Sequence, residues 1–185
     1  MPEDSTREPL SDDELVYLVQ SGDRRAMNEL VDRHHGMVFR ACIAILNEED
    51  LAADATQNSF IKAFRAIDRF RGDAALRTWL VAIARNEARG ILRKVKRRRE
   101  QSLEDAGPVA SLEQDPSQQV ELHSEKARIR ASLSRLPRKQ RLSVTLRIDE
   151  GLSFREIGEI IESSEGAARV NYHHGIRRLR ELLKL

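Results

Sequence analysis

The sequence predicts an all-α protein of two small helical domains, a helical bundle and a helix-turn-helix domain, joined by a flexible linker. Three observations predict it. Apolar residues recur at three- and four-residue steps from Ser11 to about Arg99 and again from Val120 onward, the pattern of helices with one buried face. Aromatic residues are few (4%) and charged ones many (34%), while the sparse glycines and prolines fall mostly at breaks in the periodicity. Between the periodic regions the pattern collapses. The stretch EQSLEDAGPVASLEQDPSQ, Glu100 to Gln118, carries Gly107, Pro108, Pro116 and five carboxylates, with no means of burying a core. The divisions that follow are 1–99, 100–118 and 119–185, with each helical domain barely large enough for a core of its own.

Composition excludes several classes. No apolar run approaches the roughly 18 residues of a membrane span, and the start, MPEDSTREPLSDDE, is acidic where a secretory leader is basic. Cys42 is the only cysteine, so no internal disulfide forms and a reducing cytoplasm is expected; its place among Val38, Ala41 and Ile45 makes it a core residue rather than a redox sensor. The net charge of +2 conceals segregation: the first fourteen residues are acidic and Arg77 to Arg99 strongly basic. No metal-ligand cluster, phosphate-cradling glycine loop or Ser/His/Asp spacing points to an enzyme, a cofactor or a metal.

Taken in order, Ser11 and Glu14 have capping-box spacing for a first helix, which Gly22 closes. Asp23 caps a second, whose apolar face is Met27, Leu30, Val31, Val38, Ala41, Cys42 and Ile45; His34 and His35 lie inside it without further ligands at helical spacing. After the polar break Asn47 to Asp50, a third helix from Leu51 to Arg69 buries Phe60, Ile61, Phe64 and Ile67. It exposes Asp54, Gln57, Asn58, Lys62 and Arg65. Arg71-Gly72-Asp73 forms a loop, and a fourth helix opens near Ala75 with Leu76, Trp79, Leu80, Ile83, Ala84, Ala88 and Ile91 inward. Trp79 is expected to anchor that loop to the domain. The opposite face carries Arg77, Arg85, Arg89 and Arg93, the last three at four-residue steps, which makes either a rail for phosphates or a plain solvated face.

The second domain starts with a helix from about Val120 to Arg135, with Leu122, Ile129 and Leu133 inward. Pro137 sits in the first turn of the next helix, which Gly151 ends. Ser153 and Glu156 form another capping box, Glu162-Ser163 a tight turn, and Ser164 the cap of a final helix from Glu165 to Leu183. This is a helix-turn-helix layout. Ala168, Tyr172, Ile176, Leu179 and Leu182 face inward; Gly166, Arg169, Val170, His173 and Arg177 face outward, a side expected to enter a major groove, where Arg169 would reach guanine and His173 a base edge or phosphate.

FRGDAALRTWLVAIARN, from Phe70 to Asn86, resembles the promoter-melting segment of bacterial extracytoplasmic-function (ECF) sigma factors, with Leu76 where the family commonly has an aromatic. DATQNSFIKAF resembles the family's helix that grips the polymerase clamp, with Asn58 in place of a usual Glu. LSRLPRKQRLSVTLRIDEGLSFREIGEII resembles its upstream-promoter domain. The resemblance spans Asp12 to Leu183. It implies a sigma factor that is monomeric in the holoenzyme, binds the clamp and flap of core RNA polymerase, and reads the −10 and −35 promoter elements while polymerase does the chemistry. It implies a −10 pocket from Arg71, Gly72, Asp73, Ala74 and Ala75 with Asn86 facing it, and backbone contacts from Arg77, Arg85, Arg89 and Arg93. The −35 surface would be Ser164, Glu165, Gly166, Arg169, Val170, Asn171, His173 and Arg177, and the polymerase grip Asp54, Gln57 and Asn58. An anti-sigma factor is the further partner implied, with no membrane insertion of this chain itself. Glu162, Ser163 and Asn171 stand where the family often has Gly, an apolar residue and Arg. A stand-alone repressor or activator remains the rival; it would normally need a dimer interface to read a two-fold operator. An adaptor without promoter reading is the other.

Overall fold

The computed structural model describes residues 10–106 and 125–184, and every regular element among them is helical. The first domain holds α1 (Asp12–Gln20), α2 (Arg24–Leu46), α3 (Glu49–Ala66), a 3-10 turn (Ile67–Arg69) and α4 (Leu76–Ala106). The second holds α5 (Glu125–Ser134), α6 (Arg138–Ile148), α7 (Phe154–Ile160) and α8 (Glu165–Leu183). The start signals read from sequence operate as expected. Ser11 and Ser153 each accept from the amide three residues on, while Glu14 and Glu156 reach back to the cap amides. Asp23 accepts from the amides of Arg25 and Ala26, and Ser164 from that of Ala167.

Three expectations need correction. Helix α4 runs 31 residues and continues past Arg99, because Glu100 to Ala106 contains no glycine or proline to stop it. The rest of the expected linker, residues 107–118, and Leu122 lie outside the described residues, as does the acidic start. Pro137 is the cap of α6 rather than a residue of its first turn, with ψ at 142°, outside the helical range. Ile61 and Ile129, both read as inward, are 42% and 41% exposed. The buried face of α3 includes Phe60 as expected, but beside it runs a row of small residues (Ala52, Ala55, Ser59 and Ala63) that lets its backbone approach α2 and α4, and Ile61 lies off that row. The buried hydroxyls of Thr56 and Ser59 are satisfied by the carbonyls four residues back. Cys42 is fully buried, and that burial pushes its thiol up to about 11, so it stays protonated in the core.

The two domains pack on each other, and one apolar core runs from Leu15 in α1 through α2, α3 and α4 to Leu142, Leu146, Leu152 and Ile157 in the second domain. Two buried arginines stitch this contact in opposite directions. Arg85 of α4 donates to the carbonyl of Ile160, the last residue of α7. Arg141 of α6 donates to the carbonyl of Ala44 in the last turn of α2, and to Asn47 and the Ser134 carbonyl. The last carbonyls of a helix have no partner of their own and carry its negative dipole end. Each domain therefore caps the C-terminus of a helix in the other.

Candidate nucleic-acid interface

The loop after the 3-10 turn is held by its own charges. Gly72, at φ +76°, supplies a left-handed bend that brings the Arg71 guanidinium 3.1 Å from the Asp73 carboxylate. Phe70 and Trp79 meet beside it with ring centroids 5.0 Å apart. Phe70, Arg71, Asp73 and Trp79, together with Asp68, Arg69 and Ala74, line a hollow of about 560 Å³. Trp79 thus anchors the loop as expected, though it is half-buried rather than a core residue. Asn86 does not line the hollow: it lies about two helical turns beyond Trp79, its amide oxygen taken by Arg85 at 2.8 Å. That is a correction to the pocket expected from sequence.

Along α4 the arginines share one side, but that side faces the second domain. Arg77 donates to Glu156 at 3.0 Å, joined by the Thr78 hydroxyl at 3.2 Å. Glu162 bridges Arg85 at 2.8 Å and Arg89 at 2.6 Å. Arg85 is only 8% exposed, which corrects its reading as a surface rail residue. Arg93 remains exposed, in a cleft with Arg89, Lys96 and Arg138. Glu87, the one carboxylate among these basic residues, is paired with Lys62 of α3. Glu162 itself sits at φ 52°, a left-handed conformation that ends α7 and aims its carboxylate at α4. The Arg89 hydrogen bond and the Arg85 charge hold it below the usual carboxylate range. For Glu156, partial burial pushes the carboxyl up, but the Ser153 hydroxyl and amide and the Arg77 guanidinium outweigh it and leave it at about 2.

On α8, Ser164, Glu165, Gly166, Arg169, Val170, His173 and Arg177 are all exposed, and Val170 is 53% so despite being apolar. Glu165 pairs with Arg169 one turn on, at 2.9 Å, and Asn171 returns its amide to the Ala167 carbonyl, which places it at the flank of this surface rather than its centre. Asp54, Gln57 and Asn58 are exposed side by side on α3. Sequence reading missed Glu156 and Glu162 as partners of the arginines, Arg141 as a cap, and Phe154 and Arg147, which lie against Arg169 or its neighbours. None of these carried a local signal: Arg141 follows Arg138, Lys139 and Gln140 and reads as one more surface cation. Among the described residues no group of His, Cys, Asp and Glu is placed to hold a metal, and no helix is long and apolar enough to cross a membrane.

A helical bundle with an aromatic-flanked loop and a basic helix, followed by a helix-turn-helix with a cationic outer face, defines a DNA-binding protein of the transcription-initiation class. Comparison with known proteins specifies it: the pattern of Sigma-70 region 2 matches residues 30–99 and that of Sigma-70, region 4, residues 126–179, and the chain belongs to the sigma-70 family. It is 35% identical over 186 residues to the ECF RNA polymerase sigma-E factor of Haemophilus influenzae, covering 96% of this chain and 95% of that one. It is 34% identical over 166 residues to the RNA polymerase sigma-H factor of Pseudomonas aeruginosa, covering 85% and 86%. Among solved structures it resembles the sigma factor RpoE from Bartonella quintana, crystallised with the anti-sigma factor NepR (TM-score 0.70, 25% identity, 85% of this chain and 96% of that one). It also resembles CnrH in complex with the cytosolic domain of CnrY (TM-score 0.66, 26% identity, 92% and 95%). The protein is a promoter-recognition factor of RNA polymerase and not itself a catalyst.

Proposed function

We propose that the hollow after the 3-10 turn captures −10 bases of the melted strand, that the outer face of α8 reads the −35 element, and that Asp54, Gln57 and Asn58 grip the polymerase clamp. Unstacking a base costs a few kcal/mol, which the aromatic pair Phe70 and Trp79 and the polar loop offset by contacts around it. The observation that carries the reading is that all three surfaces are exposed at once while the arginine side of α4 is occupied by Glu156 and Glu162. Those carboxylates stand where phosphates would sit, so the rail becomes available only when the domains separate. Core polymerase, holding each domain on its own surface, does this. An anti-sigma factor that favours the packed arrangement is the fitting regulator, and the cytoplasm the fitting compartment. The divisions 1–99, 100–118 and 119–185 read from the sequence then separate the two bodies from the segment that joins them.

Run-off transcription with purified core polymerase tests the proposal. Arg169→Ala should relax base preference at a single upstream position by about 1–3 kcal/mol, while Arg89→Ala should weaken the holoenzyme on all promoters alike and reduce its salt dependence. The reverse pattern would exchange the two roles. Tight promoter binding without polymerase, and no transcripts with it, would favour a stand-alone regulator.

A further inference from the structure

We infer that Phe154 is a positioning residue for promoter recognition, seating the Arg169 guanidinium and the His173 ring on the outer side of the helix-turn-helix unit. The inference rests on the reading of α8 as the −35 reader and names the residue that gives that reader a fixed shape.

Phe154 opens α7 directly after the Ser153 cap, so its backbone is held by the capping box. Its half-buried ring projects between α7, the end of α6 and α8. The Arg169 guanidinium carbon lies 4.9 Å from the ring centroid, and that of Arg147 lies 4.9 Å from it too. The His173 ring is 6.4 Å away and the Tyr172 ring 5.5 Å away, tilted by 59°. Arg147 is itself tied to the Leu152 carbonyl at 2.8 Å. Arg169 and His173 are one helical turn apart, so a single ring underlies the two side chains best placed to meet base edges.

An exposed arginine has more rotamers to lose than almost any other side chain. Reading guanine through two parallel hydrogen bonds needs the planar fork in one orientation. The negative face of an aromatic ring attracts a guanidinium lying against it. With Glu165 holding the same group at 2.9 Å, Arg169 is aimed before DNA arrives. A ring that only filled space would contribute to stability and to all DNA binding equally. A ring that aims Arg169 contributes to discrimination at the base pair Arg169 reads.

The experiment compares holoenzymes carrying Phe154→Leu, Phe154→Tyr and Arg169→Ala on a promoter and on variants with each upstream base pair changed, at one salt concentration. Thermal melting of each free protein is recorded alongside. Leucine keeps an apolar side chain of similar reach without the π face. Phe154→Leu should narrow discrimination by about two- to fivefold at the position that Arg169→Ala identifies. Binding to unrelated DNA should stay unchanged, Phe154→Tyr should restore discrimination, and adding Phe154→Leu to Arg169→Ala should cause little further loss there. Unchanged discrimination in Phe154→Leu, failure of Tyr to restore it, or an equal loss on every promoter with lowered melting would each overturn the inference while leaving the α8 reading intact. An Arg169→Ala holoenzyme with wild-type base preference would overturn the α8 reading itself, and this inference with it.

Discussion

Gly175 lies where α8 crosses α6 at closest range. A Cβ there would stand 2.6 Å from Cγ2 of Val144 and 3.3 Å from the carbonyl oxygen of Gln140. Val144 is buried and β-branched, with little freedom to turn aside. Gly175→Ala should therefore destabilise the second domain by about 1–3 kcal/mol in chemical denaturation. Adding Val144→Ala should recover part of the loss, a non-additivity that a general helix-propensity effect would not produce. Trp79 supports a different element. Removing its ring leaves Phe70 without its neighbour at the loop, and because Trp79 is only half-buried, Trp79→Ala should cost near the low end of about 3–5 kcal/mol. Thermal melting measures that cost, and an unchanged midpoint would show the loop to be held by the Arg71–Asp73 pair instead. Trp79 was legible from its place in an apolar row. Gly175 was not, because closeness between helices is invisible to periodicity within one.

Helix α7 is seven residues long, too short to persist without its caps and neighbours. Glu156 serves it twice, closing the capping box and accepting from Arg77 across the domain boundary. Its pKa in the folded protein is about 2, below the ordinary 4.5, so its contribution is present above about pH 4.5 and is lost as pH falls from there toward 2. Glu156→Gln keeps a capping-box acceptor but removes the charge that faces Arg77 and the cap amide, so it should destabilise the fold at neutral pH by about 1 kcal/mol, read as a lowered melting temperature. The gap between variant and wild type should shrink steadily between about pH 4.5 and 2. A gap that stayed constant over that range would mean that the carboxylate charge plays no part. The capping box itself could be read from Ser153 and Glu156 alone, since both lie within one turn. The second partner, Arg77, is distant in the chain and left no trace in the local pattern. The end of α4 shows the same limit: acidic, polar composition suggested a linker after Arg99, but the backbone follows the absence of breakers up to Ala106.

For the molecule as a whole, the function proposed above makes the packed arrangement and DNA compete for Arg77, Arg85 and Arg89. Glu162→Gln removes the bridging charge while keeping the side chain's size and its left-handed backbone, so it isolates the electrostatic part of the contact. It should increase the average separation of labels placed on α3 and α8 and strengthen binding to unrelated DNA at low salt. Equal separation in variant and wild type would place the stability of the contact in the apolar core and the arginine caps. A second consequence concerns reach. A flexible segment of the 19 residues from Glu100 to Gln118 would hold its ends about 25 Å apart on average and roughly 65 Å at full stretch. Seven of those residues are helical, which shortens the reach further. Free protein should thus bind a two-element promoter no more than a few-fold tighter than a one-element fragment, whereas the holoenzyme should gain by orders of magnitude. Titrations of both fragments with and without core polymerase measure this, and strong two-element binding by the protein alone would contradict it. Local signals in the sequence by themselves determined the helices, their caps, the helix-turn-helix and the family, because periodicity, capping residues and motif wording all act over a few residues. Only the tertiary structure decided that the arginine side of α4 is closed, since the groups that close it, Glu156, Ile160 and Glu162, lie more than seventy residues away and meet it only when the two domains fold onto one core.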